Sequence, residues 1–229
     1  MEHQFDRLGL TVEFIEGVDG RELGEERFKK LTDAHAVKYS PQWITPGAVG
    51  CVMSHRICYK KLVESGDAYA LILEDDIVLD KKAVKHLEEM GAAINRGEVM
   101  LLYFQSFKTI EFSDSEAKKI DSRYRIMYPV NFESLGSTGG YFIASDAAKK
   151  LYDNVLPIKV SADSWGEFIK YGYLKSVRVV IPFAGRSSYS ESAIDYVGES
   201  SLRGRLKSFI STTKLFPFFQ LLKLRRQRS

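Results

Sequence analysis

The sequence predicts an α/β layered domain over residues 1–200, in which helices flank a mainly parallel central sheet, followed by a basic tail over residues 201–229. Short apolar runs typical of strands alternate with segments of helical periodicity, and this alternation favours a sheet covered by helices. The 229 residues are 45% hydrophobic and 28% charged, a composition typical of globular proteins that argues against disorder or a collagen-like fibre. No internal repeat or low-complexity linker precedes Ser200, so one domain is expected.

The first third of the chain is expected to hold one short strand and one long helix. Val12–Ile15 is an apolar run that leads into the turn-forming residues Gly17–Gly20, which is typical of a strand followed by a turn. Glu22–Val37 is polar and predicts a surface helix or a loop, and Ser40–Gly50 is predicted to be irregular. Val49–Val63 is apolar around much of its circumference, so this segment is predicted to form a largely buried helix.

The remaining elements follow the strand-and-helix alternation. Ala68–Leu73 is continuously apolar, which suits a central strand covered on both faces. Asp80–Asn95 has apolar residues at helical spacing, and Gly97 follows as a stop. The other predicted strands are Val99–Phe104, Tyr124–Val130, Gly139–Ala144 and Ser176–Ile181, and the other predicted helices are Asp146–Asn154, capped by Ser145, and Ser164–Tyr171.

Three consecutive acids, Glu74, Asp75 and Asp76, follow the strand predicted over Ala68–Leu73. If the chain stays extended, Glu74 and Asp76 project to one face and Asp75 to the other. Neighbouring carboxylates repel one another, and a hard divalent cation such as Mg²⁺ or Mn²⁺ that also holds substrate phosphates would relieve that repulsion. The alternative is a solvated acidic turn in which Asp76 or Asp80 caps the next helix, and residue spacing leaves both interpretations open.

Two cysteines and one histidine lie on the helix predicted over Val49–Val63. Cys51 and Cys58 are two helical turns apart, about 10 Å, which is too far for a disulfide, so we expect small buried side chains in a reducing compartment. His55 shares their face, either as a buried histidine bonded to backbone or as a residue near a ligand. No second histidine has metal-ligand spacing, so a zinc site is not expected.

Several of these segments together resemble glycosyltransferase family 25, which contains lipooligosaccharide and lipopolysaccharide galactosyl- and glucosyltransferases and collagen-modifying relatives. Gly47–His55 has the pattern G-x-x-G-C-x-x-S-H, Leu73–Asp76 reads L-E-D-D, and Ser137–Ile143 is a glycine-led strand. Phe14–Gly20 is similar to the family's early strand and its A-V-D-G turn. The resemblance extends from about Leu8 to Asp163, and the order and spacing of the motifs make it specific.

The resemblance implies a GT-A-like domain that binds a UDP-sugar through Mn²⁺ or Mg²⁺, with the acidic triplet in place of a D-x-D motif. Asp76 is implied as a metal ligand, with Glu74 and Asp75 assisting at the metal or at the donor's ribose and sugar. Transfer with inversion needs a general base, and the resemblance implies Asp163 for that role. The alternative for Asp163 is the N-cap of the helix predicted over Ser164–Tyr171.

Other positions are implied to contact the donor, each with a structural alternative. Gly139 and Gly140 would either let the backbone approach a ligand or relieve a tight turn. Asp19 would either contact the nucleotide or serve only as part of the Gly17–Gly20 turn. Trp165 and Tyr141 would stack on an acceptor sugar or lie in the core. The donor-binding residues expected from the resemblance are Asp19, Ser54, His55, Glu74, Gly139 and Gly140.

The start of the chain departs from the family pattern. Family members usually open with a short apolar strand and a basic segment, and Met1 is predicted to lie in the helix after that strand. The expected explanations are a truncated chain, a misplaced start, or a nucleotide held differently.

The tail over residues 201–229 combines cations with aromatic residues. From Leu202 to Ser229 there are eight lysines and arginines, four phenylalanines and no acid. Because the whole chain has a net charge of +3, the residues before this tail are net negative. Apolar residues beside unopposed cations are typical of a helix that lies in an anionic membrane surface, where each cation contributes about 1 kcal/mol. A disordered solubilising tail is the alternative, and no nucleic-acid partner is expected.

We therefore expect an inverting glycosyltransferase that moves galactose or glucose from a UDP-sugar to a sugar hydroxyl of lipooligosaccharide or lipopolysaccharide. The apolar stretches fall short of the ~18 residues of a spanning helix, and no secretory signal is expected because Met1 to Arg7 are polar and charged. It is expected to be cytoplasmic and peripheral on the inner face of a bacterial inner membrane, where it meets a lipid-linked oligosaccharide acceptor. The alternatives are a non-catalytic membrane-peripheral member that has lost donor binding and a metal-dependent phosphate-ester hydrolase.

Overall fold

A computed structural model of the chain describes residues 2–106 and 108–188. The tail predicted over residues 201–229 lies outside these residues. The helices are α1 (Glu2–Leu8), α2 (Gly24–Leu31), α3 (Ala34–Tyr39), α4 (Pro46–Ser65), α5 (Lys81–Val84), α6 (Leu87–Ala92), α7 (Ser145–Asn154) and α8 (Trp165–Lys170). The strands are β1 (Tyr69–Leu73), β2 (Ile77–Leu79), β3 (Glu98–Leu101), β4 (Phe112–Lys119), β5 (Arg125–Pro129), β6 (Gly140–Ala144), β7 (Ser176–Ile181) and β8 (Gly185–Ser187).

A six-stranded central sheet with the order β1-β6-β3-β7-β5-β4 confirms the predicted α/β class. The prediction that this sheet is mainly parallel was wrong. Only β3 and β7 pair in parallel, whereas the other four neighbouring pairs are antiparallel. Two of the antiparallel pairs arise because β6 lies between β1 and β3 and runs against both, and the other two because β5 runs against β7 and β4.

Strands β1, β3 and β7 nevertheless point in the same direction. β1 and β3 are both antiparallel to β6, and β3 is parallel to β7. Their carboxyl ends therefore meet at one edge of the sheet, where β6 begins. The acidic triplet follows β1 at this edge, and the small antiparallel sheet of β2 and β8 adjoins it. Sheet edges of this kind are where α/β proteins place their ligands.

The long helix α4 confirms the helix predicted over Val49–Val63 and starts three residues earlier. Its first turn is fixed by Thr45, whose side chain accepts a hydrogen bond from the backbone N–H of Ala48, and by a proline at the first helical position. Gly66, in the left-handed conformation with φ of 77°, ends it. The helix packs against α7, and its buried positions at helical spacing are Val49, Val52, His55, Tyr59 and Leu62.

The core lies on both faces of the sheet. Along β3, Val99 and Leu101 belong to the cluster that packs under α4 and α7, and Met100 belongs to the opposite cluster with Leu87 and Met90 of α6. Successive side chains of a strand point to opposite faces, so a strand covered on both faces is continuously apolar. This arrangement explains the unbroken hydrophobic runs in the sequence.

Some predicted elements differ in the structure. Val12–Ile15 forms no strand, and its Val12 side chain packs against the core from an irregular segment. The helix predicted over Asp80–Asn95 is divided into α5 and α6, with His86 between them. Ser145 is the first residue of α7, and the N-cap position is taken by Ala144 instead. The polar strand β4 was not predicted, because its solvent-facing sequence lacks apolar periodicity.

Candidate functional site

The acidic triplet forms a turn rather than an extension of β1. The strand ends at Leu73, and the backbone N–H of Ile77 bonds to the carbonyl of Glu74 at 3.2 Å. On one side, the backbone N–H of Glu74 donates to the carbonyl of Gly139 at 2.8 Å. On the other side, Ser187 Oγ donates to Asp76 Oδ2 at 2.6 Å. The turn is therefore held from two sides: Glu74 bonds to Gly139 next to β6, and Asp76 bonds to Ser187 of β8.

Glu74 is anchored from inside the fold through one of its oxygens. Glu74 Oε1 accepts a 2.5 Å hydrogen bond from Thr138 Oγ1 and lies 3.1 Å from His55 Nε2. His55 is 5% exposed, and its Nδ1 lies 2.7 Å from the hydroxyl of Tyr141, which in turn contacts the hydroxyl of Tyr59 at 3.1 Å. About a third of the Glu74 side chain, 34%, remains exposed. Within the described residues, Glu74 Oε2 has no hydrogen-bond partner, so it is available to a ligand.

His55 and Glu74 form an ion pair. Burial acts to lower the pKa of His55, but Cys51 and Glu74 outweigh it through hydrogen bonds and charge and raise that pKa to about 9. Burial acts to raise the pKa of Glu74, and the hydrogen bond and charge of His55, with the hydrogen bond of Thr138, hold it below its usual range. Glu74 is therefore a carboxylate at neutral pH, held by an imidazolium from within the core.

Asp163 forms a hydrogen bond to Ser137, a residue with unusual backbone geometry. Ser137 has a φ of 86°, and its N–H donates to Asp163 Oδ2 at 3.0 Å while its carbonyl accepts from Trp165 Nε1 at 3.1 Å. Asp163 Oδ1 accepts from Ser161 Oγ at 2.7 Å. The N-cap of α8 is Ser164, without a side-chain capping bond, so the capping alternative for Asp163 was wrong. Asp163 instead fixes the loop that presents Thr138 to Glu74.

Two glycines at the start of β6 are closely packed, Gly139 just before the strand and Gly140 as its first residue. A Cβ on Gly139 would lie 2.9 Å from Cδ1 of Ile77, and a Cβ on Gly140 would lie 3.2 Å from Cδ2 of Leu73. A side chain at either position would therefore meet the residues that flank the acidic turn. The role of these glycines in donor binding stays a prediction.

The Gly17–Gly20 turn lies directly against α4. Ser54 Oγ accepts from the N–H of Val18 at 2.8 Å and donates to the carbonyl of Gly50 at 2.9 Å. A Cβ on Gly50 would lie 2.5 Å from the carbonyl oxygen of Val18, so only glycine permits this approach. In the G-x-x-G-C-x-x-S-H pattern, the second glycine, Gly50, and the serine, Ser54, therefore both serve to pack the Gly17–Gly20 turn against α4.

Asp19 caps the short 3₁₀ helix Gly20–Glu22. Its Oδ1 accepts from the backbone N–H of Arg21 at 2.9 Å, and its Oδ2 accepts from the Arg21 guanidinium at 2.7 Å. These bonds, those of the guanidinium first, lower the pKa of Asp19 to about 2. The turn interpretation of Asp19 is confirmed, and its contact with a nucleotide stays a prediction.

Sequence reasoning missed several partners of the acidic turn. The only signal for Thr138 was its hydroxyl beside the glycines of β6, and no signal pointed to Ser187, which is 111 residues from Asp76. Tyr141 and Trp165 are both fully buried, which confirms the core alternative for them over stacking on a sugar.

The turn offers carboxylate oxygens to a hard divalent cation, although its three acids do not come together as one ligand set in this structure. Asp75 is exposed, Asp76 is half-buried with one oxygen bonded to Ser187, and Glu74 Oε2 is open. Carboxylate oxygens are the ligands that Mg²⁺ and Mn²⁺ prefer.

Comparisons with known proteins agree with the resemblance. Residues 1–165 match the sequence profile of glycosyltransferase family 25 (LPS biosynthesis protein). A glycosyltransferase 25 family member of Aedes aegypti is 30% identical over 67% of this chain and 25% of its own length. Procollagen galactosyltransferase 2 of Homo sapiens is 22% identical over 71% of this chain and 28% of its own. The lipooligosaccharide biosynthesis protein lic2B of Haemophilus influenzae is 33% identical over 47% of this chain and 41% of its own.

The match covers only part of those proteins. The chain spans about a quarter of the length of the insect relatives. Among the described residues, the helices are too short or too polar to span a membrane.

Proposed function

Since the chain belongs to glycosyltransferase family 25, we propose that it transfers a hexose, galactose or glucose, from a UDP-sugar to a sugar hydroxyl with inversion. The observation that carries the proposal is that three separated motifs lie at one sheet edge. His55 of α4, Glu74 after β1 and Thr138 before β6 are joined by hydrogen bonds. These bonds hold the acidic turn in one orientation before any ligand arrives, which favours binding of a metal–diphosphate.

In this proposal, Asp76 and Glu74 Oε2 hold Mn²⁺ or Mg²⁺, and the exposed Asp75 contacts the donor's ribose or sugar. The cation supplies positive charge for the leaving diphosphate. His55 and Thr138 keep Glu74 directed along the sheet edge. Asp163 serves as the general base, because the bonds from Ser137 and Ser161 fix its carboxylate while each oxygen keeps a further lone pair.

The direct test is transfer of radiolabelled galactose or glucose from the UDP-sugar, with Mn²⁺ or with a chelator. Asp76→Asn should abolish the metal-dependent activity, because an amide cannot replace the carboxylate charge. Asp67→Asn is the matched control, since Asp67 is an exposed aspartate before β1 and should leave transfer unchanged. Full activity of Asp76→Asn would refute the metal assignment. Calorimetry without heat at millimolar UDP would favour a non-catalytic member, and phosphate release from simple esters would favour the hydrolase.

We further propose a lipid-linked oligosaccharide acceptor and a cytoplasmic, membrane-peripheral location on the inner face of a bacterial inner membrane. The support is the name of the Haemophilus influenzae relative, which concerns lipooligosaccharide biosynthesis, and the eight cations without an acid from Leu202 to Ser229. Sedimentation of the full chain with vesicles of anionic lipid, but not of neutral lipid, should detect this binding. Replacing the arginines of the tail with glutamine should reduce it, and unchanged binding would refute the role of the tail.

A further inference from the structure

A second set of metal-ligand side chains lies on the inner side of the acidic turn. Cys51 and His55 are one helical turn apart on α4, and Glu74 approaches them from the end of β1. One ligand atom from each of the three residues lies within 4.8 Å of the other two. Around tetrahedral zinc, neighbouring sulfur, nitrogen and oxygen ligands are about 3.3–3.8 Å apart. Small side-chain movements would therefore close the set around one ion.

The imidazole of His55 is already oriented for this role. Its Nδ1 lies 2.7 Å from the Tyr141 hydroxyl, and its Nε2 faces Glu74 at 3.1 Å. Histidine ligands almost always donate from the second ring nitrogen to a neighbouring oxygen, which fixes the ring and its tautomer. Tyr59 in turn contacts the Tyr141 hydroxyl, so the supporting hydrogen bonds extend into the core. Glu74 is similarly fixed by Thr138.

We propose that Cys51 Sγ, His55 Nε2 and the Glu74 carboxylate bind zinc or another thiophilic divalent cation. The partly exposed Glu74 gives the ion a path from solvent and leaves the fourth position for water on that side. Binding displaces the thiol proton of Cys51 and the Nε2 proton of His55, and both protons pass to solvent. The thiolate and imidazole distinguish this site from the all-oxygen turn, which prefers Mg²⁺ or Mn²⁺.

Glu74 belongs to both sites, so the two cations compete for it. Zinc bound on the inner side would draw the carboxylate towards α4 and away from Asp76. Zinc is therefore expected to inhibit hexose transfer, and this consequence alone rests on the proposed function.

Cobalt provides a test that needs neither donor nor acceptor. A thiolate ligand gives cobalt a charge-transfer absorption, so titration of the full-length reduced protein with Co²⁺ should produce this band at one equivalent. Added Zn²⁺ should remove it. Cys51→Ser should abolish the band, whereas Cys58→Ser is the matched control, because Cys58 lies on the same helix outside the three-residue set, and should retain it.

Two further variants test the other ligands by zinc titration against a colorimetric chelator. Glu74→Gln should weaken zinc binding at least tenfold, and Tyr141→Phe, which removes the partner of Nδ1, should weaken it about tenfold. Circular dichroism checks the fold, and if Cys51→Ser does not fold, the partly exposed Glu74→Gln decides. No thiolate band in the folded wild type, a band that survives Cys51→Ser, or zinc affinity unchanged in Glu74→Gln would overturn the site. These readouts are independent of transfer, so a failed transferase assay leaves them interpretable.

Discussion

The buried ion pair between β3 and β7 gives the sharpest prediction for stability. Glu98 is fully buried and Arg178 is 4% exposed, and they are joined through both carboxylate oxygens. Glu98 also accepts from the N–H of Asn95 at 2.8 Å and from Ser176 Oγ at 3.0 Å, and Arg178 donates to the carbonyl of Ala93 at 2.6 Å. Each charge therefore depends on the other for compensation, because both are buried.

Arg178→Met should leave the Glu98 carboxylate buried and unpaired, at a cost of about 3–5 kcal/mol in the free energy of unfolding. Urea denaturation at neutral pH measures it as a lower midpoint at an unchanged slope. Arg125→Met is the matched control, because Arg125 pairs with exposed Asp114 and is itself 47% exposed, so its loss should cost at most about 1 kcal/mol.

The double variant Glu98→Gln with Arg178→Met removes both charges and should cost less than Arg178→Met alone. If Arg178→Met and Arg125→Met cost the same, the reasoning from buried charge is refuted.

Three further predictions follow from contacts at the site and its supports. Gly50→Ala should lower stability by about 1–3 kcal/mol, although alanine is the better helix former, because its Cβ would collide with the Val18 carbonyl; stability equal to wild type in urea would contradict the contact. The pKa of Asp80 is held below its usual range, first by a backbone N–H at the start of α5. The Asp80 carboxylate therefore stabilises the folded protein at pH values above the ordinary pKa of aspartate, and this stabilisation is lost as the pH falls through the lowered pKa. Asp80→Asn should therefore lower the melting temperature at pH 7 and reduce its dependence on pH in the acid range, and an unchanged pH profile would refute this. Thr138→Val should reduce hexose transfer about tenfold by freeing the Glu74 carboxylate, with little loss of stability; kinetics equal to wild type would exclude a positioning role.

The sequence predicted the elements whose hydrophobic pattern is local. Val49–Val63 was recognised from apolar residues at helical spacing, and Ser176–Ile181 from a mostly apolar run that is buried at its four middle positions. The direction of the sheet was not predictable in this way, because it depends on β6 pairing with two strands that are distant in sequence. The polar edge strand β4 has no apolar pattern and was missed for that reason.

Site residues that belong to a sequence motif could be predicted, whereas contacts between residues that are distant in the sequence could not. The acidic triplet was recognisable because three consecutive acids, which repel one another, directly follow the apolar run of β1. The bond between His55 and Glu74 joins residues 19 apart on different elements, and no spacing rule relates them. Sequence reasoning sought a second histidine for zinc and so passed over the combination of Cys51 with a carboxylate from another element.

The imidazolium of His55 changes the electrostatic balance of the acidic turn. One of its three carboxylates, Glu74, is compensated from within the protein, so its repulsion of Asp75 and Asp76 is offset without any bound ion. The acidic turn is therefore partly compensated by a charge that the protein itself supplies. If the proposed cation binds at this turn, one of its three carboxylates would remain compensated by the protein after the cation leaves.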